Sequence, residues 1–449
     1  MEIREFAERV LYGKTLTDKL TPPGRLSDDK PGAACLKTPL PARPSSLSFS
    51  SPDRARESFP KSSDLHLAGA RGKALHFFAN HELLALELMA LALLRFPEAP
   101  SSFRKRLVAT MRDEQVHMSL YLERMGELGC ELGSVPLNSF FWDLISPMTR
   151  PMDFVAAMSL TFEQANLDFS LHYRDAFSSV GDDKTARIME RVLRDEVAHV
   201  RHGVRFFETW KKPSMSQWEA YQDALVYPLT PARAKGIGFT VAHREAAGLE
   251  PDFIDRLRVY SHSKGRPPRV LMFNPDTEVA LARRAKGHTP PAGVVAMTRD
   301  LETLPLFVMA QEDVLLVRDE PRPEWLAGLQ ERGYSTPECV TVDLEARRFP
   351  AKHALMQRRI SALDPWGWDP KSAEFLQPLT SQLKGAPKSL DDIVQKRAHL
   401  GSKSWLAKRI PEMLNALSGE RRAHFITNPL PQVVETRDEL ESVLEALRS

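Results

Sequence analysis

The sequence predicts a mainly α fold: a four-helix bundle with an N-terminal wrapping segment, followed by a small α/β domain. Three observations carry this. Glu-x-x-His occurs twice, as Glu114 to His117 in RDEQVH and as Glu196 to His199 in RDEVAH. Each pair is preceded, at nearly the same separation, by a glutamate in an apolar run: Glu82 in HFFANHELLALELMALALLRF and Glu163 in AAMSLTFEQANLDF. Beyond residue 266 the pattern changes to short Val- and Leu-rich runs separated by helical or polar stretches.

The expected organisation is an N-terminal helix and wrapping segment over 1–70, a helical bundle over 71–262 and an α/β domain over 266–449. Residues 1 to about 20 read as an amphipathic helix with Phe6, Val10, Leu11 and Leu16 on its apolar side. From Thr21 to about Pro60 Pro, Ser, Gly and basic residues leave no hydrophobic period, so the chain is expected to be extended there. The first long helix runs from about Arg71 to Arg95 and stops at Phe96-Pro97, because the residue before a proline disfavours helix. Pro100-Ser101-Ser102 is expected to cap the second, which reaches about Leu128. Gly129, Gly133 and Pro136 break the chain between two helical hairpins. The third helix spans about Pro151 to Phe177. Asp182 or Asp183 can cap the fourth, which ends near Trp210. Residues 213–262 read as further helix, interrupted by TPARAKG. Strands of a parallel sheet are expected at 269–273, 306–309, 313–317 and 340–344. Helix is expected again from about Leu390, with ETRDELESVLEAL amphipathic.

The chemistry follows from helical geometry. Residues three apart lie about 60° apart around an α-helix, so each Glu-x-x-His points a carboxylate and an imidazole the same way. Two such pairs and two single glutamates on the other helices form the ligand set of a ferritin-like four-helix bundle around two metal ions. The expected ligands are Glu82, Glu114, His117, Glu163, Glu196 and His199. Buried, unpaired carboxylates would neutralise rather than stay charged, and metal ligation accounts for all six together. Oxygen and nitrogen donors without thiolate suit iron or manganese, so two iron ions, two manganese ions or a mixed pair is expected, bridged by Glu82, Glu163 or both. Asp113 and Asp195 are placed to accept the second ring proton of the opposite histidine, Asp113 from His199 and Asp195 from His117. His81, His172 and His202 are expected around the site or at the surface. Arg233, Lys235 and Arg244 are either holders of an anionic group near the site or solvated side chains at a helix start.

Lys and Arg total 61 against 59 Asp and Glu, a net charge of +2, which argues against a nucleic-acid binder or a membrane-surface protein by charge. Three widely spaced cysteines, Cys35, Cys130 and Cys339, argue against a disulfide framework and fit a reducing cytoplasm. MEIREFAERVLYGK lacks the apolar core of a signal peptide. The apolar run from Phe77 to Phe96 contains His81, Glu82 and Glu87, so a buried helix is expected rather than a membrane span.

Residues from about 5 to 250 resemble the DUF455 family of the ferritin-like superfamily, distantly similar to the tRNA-modifying di-iron hydroxylases. NHELLALELMA, RDEQVHMSLY, FEQANLDF and RDEVAHVRHG carry the resemblance, with FPEAPSSFR and PLTPARAKG. It implies a carboxylate-bridged di-iron centre and leaves the substrate open. RVLMFNPDTEVAL, DPWGWDP, LGSKSWLAKRI and LPQVVETRDELESVLEAL resemble the domain that precedes the nucleotide-binding module of ATP-grasp ligases, with Trp366 and Trp368 as packing anchors or substrate contacts. No glycine-rich phosphate loop or acidic magnesium-binding stretch follows, so ligation by this chain alone is not expected. The reading is a non-haem di-iron oxidase or oxygenase that uses dioxygen on a small, amino-acid-like or peptide-like molecule, in a biosynthetic pathway with a separate ATP-grasp polypeptide. The alternatives are a non-catalytic subunit or scaffold of a split ATP-grasp ligase, and an iron-handling protein. A homodimer is compatible with this reading; nucleic-acid and membrane partners are not expected.

Overall fold

The run around Glu82 is apolar on every side, and a helix of that kind must be covered on every side. In the computed structural model it is α3 (Ala68–Arg95), and nearly every side chain from Ala79 to Leu94 is buried. The structure describes residues 1–37, 39–49, 58–262, 266–277, 279, 290–385, 389–400, 403–416, 433–434 and 436–448. Among the described residues α3 is the one helix long and apolar enough to cross a membrane, and 83% of its most apolar window is buried inside the protein. The chain forms two compact units, Met1–Tyr260 and Ser261–Ser449, so the N-terminal segment belongs to the same unit as the long helices.

In the first unit the N-terminal amphipathic stretch is two helices, α1 (Ile3–Tyr12) and α2 (Leu16–Leu20), separated at Gly13 and restarted by Thr15, whose hydroxyl accepts from Asp18 N–H. Ile3, Phe6, Val10 and Leu11 pack against α3. Each such fully buried side chain contributes about 1.5–3 kcal/mol. The segment that follows is largely irregular and is held by buried charge. Glu87 of α3 meets Lys19 Nζ at 3.0 Å and Arg43 Nη2 at 2.6 Å, with all three side chains sequestered from water. Lys19 Nζ also donates to the Val10 carbonyl. Glu87 thus ties the wrapping segment to the core from within α3.

The second long helix, α4 (Ser101–Glu127), packs on α3, and its Arg104 meets Asp28 of the wrapping segment at 3.0 Å. No side chain caps its start: Pro100 occupies the cap position and Ser101 is already helical. Between the hairpins lies a short helix, α5 (Phe140–Ile145), within the stretch expected to be a break. The third long helix is continuous but not uniform. α6 (Pro151–Ala157) passes through a π-helical segment, Met158–Glu163, into α7 (Gln164–Ser179). Inside that segment Thr161 Oγ1 donates to the Ala156 carbonyl five residues back, at 2.8 Å. Asp182 accepts from Thr185 N–H and so caps α8 (Asp183–Trp210), which packs on α7, α6 and α4. The expected helical stretch after residue 213 is α9 (Gln217–Ala224), α10 (Val241–Ala246) and α11 (Pro251–Val259), with a 3₁₀ turn at Pro231–Ala234.

The second unit contains a four-stranded parallel sheet in the order β3-β2-β1-β4, where β1 is Arg269–Met272, β2 Val314–Val317, β3 Glu338–Thr341 and β4 Ala362–Pro365. Val270 pairs with Val314 and Leu363, and Leu315 with Cys339. The run at 306–309 is not a strand. Pro305 stands at the start of a 3₁₀ helix, Leu304–Val308, as its fixed φ favours, and Phe307 and Val308 are exposed. The fourth strand is instead at the head of DPWGWDP, an edge position where Pro365 removes no interior ladder bond. Trp368 is buried, whereas Trp366 is half exposed and meets Phe273 edge-on. The last helix is Arg437–Arg448. Part of the ATP-grasp-like likeness, at 278, 280–281, 401–402, 430–432 and 435, lies outside the described residues.

Candidate metal centre

Four helices deliver the six expected ligands to one place. Glu82 comes from α3, Glu114 and His117 from α4, Glu163 from the last position of the π segment, and Glu196 and His199 from α8. All six are buried. Glu82, Glu114 and His117 offer ligand atoms within 4.8 Å of one another, and so do Glu114, Glu196 and His199. Glu114 is thus the residue common to both groups, and Glu163 falls in neither of them. Glu114 Oε2 lies 3.1 Å from His117 Nδ1 and Glu114 Oε1 3.4 Å from His199 Nδ1.

The histidines are oriented crosswise between the hairpins. His117 of α4 places Nε2 3.1 Å from Asp195 Oδ2 of α8, and His199 of α8 places Nε2 3.2 Å from Asp113 Oδ2 of α4. This is the pairing expected from the two Arg-Asp-Glu repeats. An Nε2–H donated to a carboxylate leaves Nδ1 with its lone pair free, and in both rings Nδ1 is the atom facing the glutamates.

Electrostatics make this cluster costly without a cation. Burial, reinforced by the Glu114 carboxylate, holds Glu82 well above the usual carboxylate range. Burial raises Glu114 to about 8 and Glu163 to about 7, with neighbouring carboxylates acting in the same direction. Burial pushes His199 down, but the neighbouring carboxylates of Asp113, Glu196 and Glu114 outweigh it and leave the imidazole well above its ordinary value. Burial likewise pushes Asp195 up, yet His117 and Arg191 hold it at about 2. The residues fit a pair of divalent cations on a direct test. Buried polar atoms in folded proteins are nearly always hydrogen-bonded, and here Glu163 Oε2, Glu196 Oε2 and His199 Nδ1 are not, the last two merely facing each other at 3.5 Å. A cation held there would satisfy these atoms and reverse the electrostatic penalty. The donor set is oxygen and nitrogen only, as iron and manganese prefer.

Three neighbours were not among the expected residues. Asn166 Nδ2 donates to Glu196 Oε1 at 2.8 Å. Its signal is in the sequence, since Asn166 stands three residues after Glu163 in FEQAN, the same spacing as in Glu-x-x-His. The Ser159 hydroxyl hydrogen-bonds Glu163 and favours its charged form. Ser159 faces Gly203 of α8, where a β-carbon would lie 2.2 Å from Ser159 Cβ, so the glycine is what lets the π segment approach. Tyr121 is buried against the cluster, and burial followed by the Glu82 charge holds its hydroxyl well above the usual range.

The basic residues after α9 have other roles. Arg244 is fully buried and places Nη1 and Nη2 2.8 and 2.7 Å from the two oxygens of Asp168, which also accepts from the backbone N–H groups of Gly236 and Thr240. Arg244 is therefore a clamp that fastens residues 234–244 to α7, and it is closed to an outside anion. Lys235 Nζ donates to the carbonyls of Arg258 and Tyr260. Arg233 is exposed and lies over the Phe140 ring at 5.1 Å. His81 stacks on Phe141 with centroids 4.6 Å apart, and burial lowers it to about 4. His172 packs edge-on to Tyr173. His202 borders a cleft that opens onto Glu163 and His199.

No curated protein and no solved structure matches the chain. A family model described as "Protein of unknown function (DUF455)" matches residues 4–255, more than half of the sequence and a span that contains all six candidate ligands, and the chain belongs to that family.

Proposed function

We propose that the four long helices are a ferritin-like bundle holding two iron ions, and that the protein is an oxygen-dependent oxidoreductase acting on a small organic molecule. The observation that carries this is Glu114, common to two three-residue groups, beside three buried side-chain atoms that make no hydrogen bond. Bound iron would supply the electrons for dioxygen chemistry. The chain's own residues do the rest. Asp113 and Asp195 orient the two imidazoles, Asn166 and Ser159 hold Glu196 and Glu163, and the apolar walls of α3 and α4 keep water out. The second unit, on the likeness of residues 269–281 and 364–370, is proposed to recruit the substrate or a separate ATP-grasp polypeptide.

The test is metal analysis of protein expressed with iron, beside a Glu114→Ala, Glu196→Ala double variant, with oxygen uptake by the ferrous protein measured on an electrode. About two irons per chain, lost in the variant together with oxygen uptake, is the expected result. Many irons per chain would favour iron handling. No metal in either protein would overturn the reading and leave a buried polar network in a scaffold subunit.

A further inference from the structure

The two halves of the cluster are not alike. One three-residue group, Glu82, Glu114 and His117, is drawn from α3 and α4, and the other, Glu114, Glu196 and His199, from α4 and α8. The buried atoms that make no hydrogen bond stand with the second half. Glu196 Oε2 and His199 Nδ1 belong to it, and Glu163 Oε2 is on a carboxylate outside both groups that shares a cleft with His199. Glu82 and His117 contribute no such atom. Their neighbours in the chain, Leu83 on α3 and Met118 on α4, are fully buried, and His117 Nδ1 already meets Glu114 Oε2 at 3.1 Å.

Access separates the halves as well. The cleft between α4, the π-containing helix and α8 has Glu163 and His199 in its lining, and neither Glu82 nor His117. It has room for one or two water molecules, about 20 Å³, between apolar walls that include Leu107, Phe154 and Phe206. A ring-sized molecule does not fit, so what it admits has the size of water, dioxygen or azide. Glu163 closes the π-helical segment, and single π turns are frequent at functional sites. A metal ion enclosed by protein is held in place, whereas one with a position open to small molecules exchanges and reacts, as the contrast between structural and catalytic zinc shows.

We propose that the centre is divided in function. The cation held by Glu82, Glu114 and His117 is enclosed and structural. The cation held by Glu114, Glu196 and His199 is the exchangeable one, and it takes a ligand no larger than dioxygen or azide that arrives through the cleft beside Glu163. This rests on the dimetal reading and adds to it which half meets the outside molecule. Of the molecules in that reading, dioxygen fits the cleft and the organic one does not.

Cobalt(II) is the probe, because its visible spectrum reports its ligands. Full-length protein loaded with cobalt is mixed with excess EDTA, and release is followed by stopped flow. Two phases of equal amplitude are expected, with rates at least about tenfold apart. Azide should shift the spectrum of the fast-leaving cobalt alone, and imidazole, a ring, should shift neither. Glu82→Gln should delete the slow phase and keep the azide response, whereas Glu196→Gln should delete the fast phase and the response together. Leu107→Phe narrows the cleft without touching a ligand, and should slow the fast phase and azide binding about tenfold while the slow phase stays as it is. Leu107→Ala, which widens the cleft, should slow neither. One rate for both ions, an azide response that is lost in Glu82→Gln or survives in Glu196→Gln, a response to imidazole equal to that to azide, or rates indifferent to Leu107→Phe would overturn the proposal. A protein that takes up neither cobalt nor iron refutes the dimetal reading, and the division falls with it. Two ions that leave at one rate refute the division alone.

Discussion

His199 and Asp113 sit on different helical hairpins, and the Nε2 to Oδ2 contact of 3.2 Å between them has a mirror in His117 and Asp195 at 3.1 Å. Each hairpin therefore orients the other's imidazole. Partners of this kind typically set metal affinity by a factor of about 10–100. Asp195→Asn and Asp113→Asn should each weaken metal binding within that range, read by competition with a chromophoric chelator. Asp195 should matter more, since its side chain is 25% exposed against 45% for Asp113 and also takes Arg191. Unchanged affinity in both variants would deny the histidines a ligand role.

Proton and metal compete for the same oxygens. Glu114 and Glu163, raised to about 8 and about 7, are protonated below those values and must release protons to bind a cation. Metal affinity should fall steeply from pH 8 to pH 6. The metal-free protein should behave oppositely. Its carboxyls hold protons in the folded state that the unfolded chain releases above about 4.5, so the stability they contribute is full at low pH and is lost as pH rises through 7 to 8. The raised His199 acts in the same direction. Urea midpoints of the metal-free protein should decline from about pH 4.5 to about pH 8 and level off above it, and saturating metal should remove the decline. A pH-independent midpoint would show that the carboxyls are not buried as described.

Glu87 shows what a buried charge does away from the centre. Glu87→Ala leaves Lys19 and Arg43 buried without their carboxylate, a change that costs about 3–5 kcal/mol. Denaturant unfolding should record that loss, and limited proteolysis should cut first within residues 21–49. Replacing Lys19, Arg43 and Glu87 together by apolar residues should cost much less, because no charge is then stranded.

The approach of the π segment to α8 depends on Gly203. Gly203→Ala sets a β-carbon 2.2 Å from Ser159 Cβ, and since both are fixed to backbone the strain should cost about 1–3 kcal/mol. Adding Ser159→Gly should recover much of the thermal midpoint. Failure of the second change to help would place the strain elsewhere.

The clustering of the carboxylates and imidazoles is legible in the sequence because a helix enforces its own geometry. Glu114 with His117, Glu196 with His199, and the apolar settings of Glu82 and Glu163 are local patterns, and local patterns survive into the fold. Asn166 is legible in the same way, at the same spacing. Asp113 and Asp195 can be crossed with the opposite histidines because the motif repeats with its aspartate in register. What the tertiary structure decided depends on approach between elements. Glu114, rather than Glu82 or Glu163, is shared by both groups, because α4 and α8 converge at that level. Arg244 resembles an anion holder by charge, but Asp168, distant in sequence, takes its guanidinium together with the Ala234 and Thr240 carbonyls. Residues 306–309 have strand composition, yet Pro305 starts a 3₁₀ turn, and a stretch of mixed polarity at 362–365 makes the edge strand. The π turn at Met158–Glu163 has no sequence period at all. It arises where Thr161 takes a carbonyl five residues back and Gly203 leaves room for Ser159, and partners of that kind are brought together only when the helices pack.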